Sequence, residues 1–135
     1  MPSVRVLVVD DFEPFRQLVS LALEKMPDLR VVGEASYGVE AVEHVKTLQP
    51  ELVLLDIGLP GLNGLEVARQ IRAATPSTTI VFLTQESSGE IVREALELGA
   101  KGYVVKTSAE IELPEAVRAV LEGQQFVSRE IAMEI

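Results

Sequence analysis

Asp10, Asp11, Asp56, Thr84 and Lys106 are the residues of this chain whose types and spacing suggest chemistry. Each stands where an apolar run stops. Val4 to Val9 ends at Asp10-Asp11, and Leu52-Val53-Leu54-Leu55 ends at Asp56. Thr78 to Leu83 ends at Thr84, and Tyr103-Val104-Val105 ends at Lys106. One polar residue at the end of a strand is unremarkable, since caps and turns need them. Three acids, a hydroxyl and a lysine at four separate ends are not explained by solvation alone. In a parallel sheet these ends share one edge, and open α/β sheets place ligands in the crevice outside it.

The residue types indicate the chemistry. Clustered carboxylates repel one another, and without a cation one is pushed toward its protonated form. An all-oxygen set suits a hard divalent ion such as Mg²⁺, with Mn²⁺ as the alternative. Lys106 adds a compact positive charge and Thr84 a hydroxyl, which together fit the oxygens of a phosphoryl group. A carboxylate can itself act as nucleophile and form an acyl phosphate. Asp56 is the candidate, being central and followed by a glycine loop, but spacing does not separate nucleophile from ligand.

The elements that must position these groups follow from periodicity. The run at Leu52 to Leu55 is apolar throughout, as expected of a parallel strand covered on both faces. Helical spacing places Phe15, Leu18, Val19, Ala22 and Leu23 on one face of a helix from about Pro14 to Met26. Val39, Val42 and Val45 mark a second helix, stopped before Pro50. Leu29 to Ala35 reads as an edge strand. A third helix starts at Gly64 and ends near Ala74. Ser87 and Glu90 have capping-box spacing for a fourth helix, closed by Gly99. A final helix ends before Gly123; Pro114 predicts that it starts near Leu113, where a missing donor is harmless. Strand and helix alternate five times, which predicts an α/β sandwich with a mainly parallel sheet and right-handed crossovers.

Composition narrows the class. At 135 residues the chain suits one domain with a substantial core. It has no cysteine, hence no disulfide or thiol chemistry. The Met1-Pro2-Ser3 start shows no signal segment, and no apolar run approaches the roughly 18 residues that span a bilayer, so a cytoplasmic protein is expected. A net charge of −9 argues against broad contact of this domain with nucleic acid. His44, the only histidine, falls toward the polar side of the second helix and reads as solvent-facing. Zinc-type spacing and glycine-rich phosphate loops are absent.

From about Val4 to Gly123 the sequence resembles the receiver domain of bacterial two-component response regulators. Asp10-Asp11 match the family's acidic pair. Asp56 with Gly58, Pro60 and Gly64 matches the phosphoacceptor motif, and Thr84 and Lys106 match its hydroxyl and lysine. The segment Gly99 to Lys106, with Glu115 to Val120 after it, is most similar to the subfamily whose receivers precede a helix-turn-helix DNA-binding domain. The resemblance implies a flavodoxin-like (βα)5 three-layer sandwich with a five-stranded parallel sheet in order 2-1-3-4-5. It implies that Asp56 takes a phosphoryl group from a sensor histidine kinase. Mg²⁺ would be held by Asp11, Asp56 and the Gly58 carbonyl, with Asp10 acting mainly through water. Lys106 and Thr84 would hold the phosphoryl oxygens, and Thr84 and Tyr103 would switch the face formed by the fourth helix, fifth strand and fifth helix. The resemblance implies a domain that catalyses its own phosphorylation and dephosphorylation without being a dedicated enzyme, and a homodimer on phosphorylation is among the partners expected.

Gln85 departs from the pattern, a long amide where the family has a smaller or apolar residue; with Glu86 it is expected to modulate access to Asp56. Residues 1–123 are read as the receiver and 124–135 as a linker, or the start of a linker helix, toward an output domain. That tail offers apolar residues with nothing to bury them, and a receiver cut from a longer regulator is preferred to a natural single-domain one. Two rival readings remain: a pseudo-receiver serving only as an interaction module, which Gln85 allows, and a haloacid-type Mg²⁺ phosphatase. The latter places its nucleophile in a D-x-D signature after the first strand, unlike Asp10-Asp11.

Overall fold

Strand and helix alternate along the chain as their apolar spacing requires, in a computed structural model that describes residues 3–132. Met1-Pro2 and the Met133–Ile135 end of the tail lie outside the described residues. The elements are β1 (Val4–Val9), α1 (Glu13–Glu24), β2 (Leu29–Ala35), α2 (Gly38–Leu48), β3 (Leu52–Leu55) and α3 (Gly64–Ala74). They continue with β4 (Thr79–Thr84), α4 (Gly89–Glu97), β5 (Gly102–Val105), a 3-10 turn (Lys106–Ser108), α5 (Ala109–Leu121), β6 (Phe126–Val127) and α6 (Arg129–Ala132). All strand pairings are parallel.

Successive residues of each strand serve opposite faces, so two cores form. Val6, Val8, Leu52, Leu54, Val81, Leu83 and Val104 pack against α1 and α5 through Val19, Leu23, Leu113 and Val117. Leu7, Val9, Val53, Leu55, Ile80, Phe82 and Tyr103 pack against α2, α3 and α4 through Val42, Val45, Ile71 and Val92. The result is the expected three-layer, flavodoxin-like arrangement, with β2 at one edge.

Several expectations are corrected. The sheet has six strands in the order β2-β1-β3-β4-β5-β6, not five. Phe126 and Val127 pair with Gly102 and Tyr103, and a two-residue strand leaves no periodic trace in sequence. The tail does find a surface: Ile131 is 1% exposed and joins the core on the face of the sheet covered by α2, α3 and α4. Ser128 anchors it, its hydroxyl accepting from the Val105 N–H at 2.9 Å and donating to Glu112 at 2.5 Å.

The same clamp explains Pro114. α5 begins at Ala109, a turn earlier than expected, and carries Pro114 inside it. Burial of Ala109 and Leu113, and bonds to Glu112 from Ser128 and the Arg129 N–H, hold that first turn and offset one lost backbone bond. Leu18 and Val39 are 50% and 55% exposed, because the faces that pack turn around Val19 and Ala41-Val42. The expected capping box at α4 does not form; Ser88 is the N-cap and makes no side-chain bond. His44 is only part-exposed, its Nδ1 buried and unbonded.

Gly64 sets how α3 leaves β3. A Cβ there would meet the Asp56 carbonyl oxygen and lie 2.6 Å from Ile57 Cα, both backbone atoms that cannot rotate aside. Gly64→Ala is therefore expected to destabilise the domain by about 1–3 kcal/mol, read as a lower urea midpoint at unchanged slope.

Candidate functional site

Register brings the predicted residues together. Val9 is level with Leu55, so the residues that follow, Asp10 and Asp56, leave adjacent strands side by side. The Asp56 N–H donates to the Val9 carbonyl and the Asp10 N–H to that of Ala35, extending the ladder just past the strand ends. Thr84 is level with Val105, which puts Lys106 one residue beyond it on the same edge. Asp10, Asp11 and Asp56 offer carboxylate oxygens that all lie within 4.8 Å of one another. Lys106 Nζ reaches Asp10 Oδ2 at 2.6 Å and Asp56 Oδ2 at 3.3 Å.

Backbone and neighbouring groups fix these side chains. Asp10 Oδ1 accepts from the Phe12 N–H at 2.9 Å, and Asp56 Oδ1 from the Gly58 N–H at 3.2 Å. Thr84 Oγ1 accepts from the Glu86 N–H at 3.3 Å, and the Tyr103 hydroxyl donates to the Glu86 carbonyl at 2.9 Å. Tyr103 is fully buried, its ring 6.0 Å from that of Phe82, so it packs within the core while its hydroxyl reaches the loop after β4. Gln85 and Glu86 are exposed and line the mouth of a cleft of about 510 Å³ with Asp11, Asp56, Gly58 and Lys106.

Burial raises the Asp10 carboxyl above the usual carboxylate range. Hydrogen bonds from Lys106 and the Phe12 N–H, and the Lys106 charge, oppose this; the Asp56 charge adds to it. Burial, then the charges of Glu86 and Asp56, push Tyr103 well above the ordinary phenol range, so it remains a donor at neutral pH. The donor set suits a hard cation: three carboxylates, no nitrogen or sulfur, and one face open to water.

Two contributors were not read from sequence. Arg16 donates to the Asp10 carbonyl at 2.6 Å and pairs with Glu34 at 3.0 Å, stitching α1 to β1 and β2. Its signal was a cation in the first turn of the helix that follows the acidic pair. Phe15 presents its ring to Lys106, the centroid 4.6 Å from Nζ, though periodicity marked it only as a core residue.

An acidic trio, a hydroxyl and a lysine thus stand together on the carboxyl edge of a parallel α/β sheet in order 2-1-3-4-5-6. Residues 6–118 match the family described as response regulator receiver domain, and the chain belongs to that family. It is 36% identical over 132 residues to the response regulator UvrY of Escherichia coli (strain K12), a match covering 98% of this chain and 61% of that protein. The chain thus spans about 61% of the length of that relative. Among solved structures, a LuxR-family two-component response regulator from Aurantimonas sp. SI85-9A1 superposes with TM-score 0.94 at 34% identity, covering 98% of this chain and 95% of the other. The isolated receiver domain of RcsB from Salmonella enterica serovar Typhimurium, solved with the phosphomimetic BeF3-, gives 0.91 at 25%, with 97% of each chain covered. No helix among the described residues is long and apolar enough to cross a membrane.

The raised Asp10 carboxyl makes stability depend on pH in a set direction. Its folded pKa exceeds the unfolded one, so its contribution is full below the unfolded value and lost as pH rises through the folded value. In metal-free buffer the stability of the wild type minus that of Asp10→Asn is expected to fall as pH rises above about 4, as followed by urea midpoints.

Proposed function

We propose that the domain is a phosphorylation-dependent switch in which Asp56 accepts a phosphoryl group from a sensor histidine kinase. The observation that carries this is the placement of Asp56 in the open cleft, 3.3 Å from Lys106 Nζ and grouped with Asp11 and Gly58. A carboxylate oxygen of Asp56 attacks phosphorus, the P–N bond of the phosphohistidine breaks, and its electron pair returns to the imidazole. Lys106 and the Thr84 hydroxyl then hold the phosphoryl oxygens. Asp11, Asp56 and the Gly58 carbonyl would hold Mg²⁺, or Mn²⁺, with Asp10 acting through water. When bound, that ion neutralises charge as the phosphoryl group arrives.

Signal transmission follows from the bonds already described. Thr84 moving onto the phosphoryl would surrender its bond from the Glu86 N–H. The Glu86 carbonyl is also the acceptor for Tyr103, so loop and ring move together. We read the altered surface as α4, β5 and α5, with a cytoplasmic setting and homodimerisation on phosphorylation as part of the same proposal. Residues 1–123 carry the switch. The segment from Gln124 would lead to a DNA-binding output domain controlling transcription; the greater length of UvrY and the LuxR-family likeness support this.

Intact mass after incubation with phosphoramidate and Mg²⁺ tests the reading. One base-labile phosphate is expected on the wild type and none on Asp56→Asn, with Lys106→Ala slowed on the order of a hundredfold. No adduct on the wild type would favour a pseudo-receiver, and continuous phosphate release without one a phosphatase. Gln85→Ala is expected to change the rate of adduct formation or decay, followed by the same mass assay over time; unchanged rates would remove Gln85 from the site.

A further inference from the structure

We propose that Phe15 is a positioning residue for Lys106, its ring being the surface that keeps the ammonium in the cleft when a carboxylate beside it changes charge. The ammonium has three partners: Asp10 at 2.6 Å, Asp56 at 3.3 Å and the Phe15 ring centroid at 4.6 Å. An aromatic face attracts a cation through its quadrupole, more strongly where water is excluded. The Lys106 side chain is only 12% exposed, which places this contact toward the stronger end.

The three partners differ in what can happen to them. This inference rests on the phosphoryl reading, under which Asp56 becomes an acyl phosphate, a mixed anhydride whose charge sits on the phosphoryl oxygens, and Asp10 would be drawn toward a cation. The ring cannot be protonated, acylated or ligated, so its attraction for Lys106 persists through each of those states. Its place is also set independently of the acids. Phe15 is half-buried, packs on the core between the sheet and α1/α5, and stands between the acidic cleft and an apolar groove lined by Val19, Ala109 and Leu113. Leucine at this position keeps the packing and removes the quadrupole; tyrosine keeps both.

The test reads the contact and its consequence separately. In metal-free protein with ¹³C-labelled lysine, the Lys106 ε-methylene signal, assigned by its loss in Lys106→Arg, is expected upfield of the other lysines. It should move toward them in Phe15→Leu and return in Phe15→Tyr. With phosphoramidate and Mg²⁺, Phe15→Leu should phosphorylate about threefold to thirtyfold more slowly than wild type, and Phe15→Tyr should recover most of the rate. A Lys106 signal that is not upfield, or does not move in Phe15→Leu, overturns the proposal. So does a folded Phe15→Leu protein phosphorylated at the wild-type rate. Failure of the wild type to take up phosphate would instead sink the phosphoryl reading, leaving the lysine signal to decide on Phe15.

Discussion

Two buried carboxylates side by side at the ends of adjacent strands are tolerable only beside a positive charge, and that constraint governs this structure. β1 and β3 deliver Asp10 and Asp56 to neighbouring positions, and Asp11 follows at the rim. Burial and, less strongly, the charge of Asp56 oppose ionisation of Asp10. Lys106 answers from β5 by touching both buried acids. Breaking a buried pair from one side generally costs about 3–5 kcal/mol, since it strands the other charge. The protein thus carries its own counter-ion, and under the proposed function a divalent cation held by the trio would relieve the same repulsion from the solvent side.

The groups around the acids are tied to backbone that other elements control. Thr84 and Tyr103 meet through the backbone of Glu86, whose N–H serves one and whose carbonyl serves the other. Displacing either side chain leaves a polar backbone group to be satisfied afresh, which favours discrete arrangements over gradual ones. On the far side of Lys106 the chain enters a 3-10 turn whose Ser108 hydroxyl donates to Glu130, while Ser128 spans Val105 and Glu112. The segment from Gln124 is therefore bonded to residues immediately flanking the lysine. It is part of the sheet, and any domain attached beyond it would inherit an anchor within a few residues of the site.

Much of this was legible in the residues. The short apolar runs at Val6–Val9 and Leu52–Leu55 read as strands covered on both faces, and their polar terminators gather on one edge because parallel strands all point the same way. Helices were harder at their limits. Pro114 signals a start at Leu113, yet Ala109 and Glu112 are buried and bonded well enough to begin the helix a turn earlier. Leu18 and Val39 fit a helical period as well as their buried neighbours do, and only the angle at which each helix meets the sheet turns them outward.

The residues by themselves determined the α/β class and the gathering of the acids, hydroxyl and lysine on one edge, because those depend on residue type and on periods of two and 3.6 that local chain geometry imposes. The order of the first five strands was implied only by the resemblance to receiver domains, since no period says which strands are neighbours. Tertiary structure decided what lies across gaps in sequence. It gave β6 its pairing, Glu112 its serine partner, Arg16 its carbonyl and Lys106 its aromatic neighbour. None of these contacts has a period or a motif; each exists because two surfaces, specified for packing, happen to bring a donor to an acceptor or a charge to a ring.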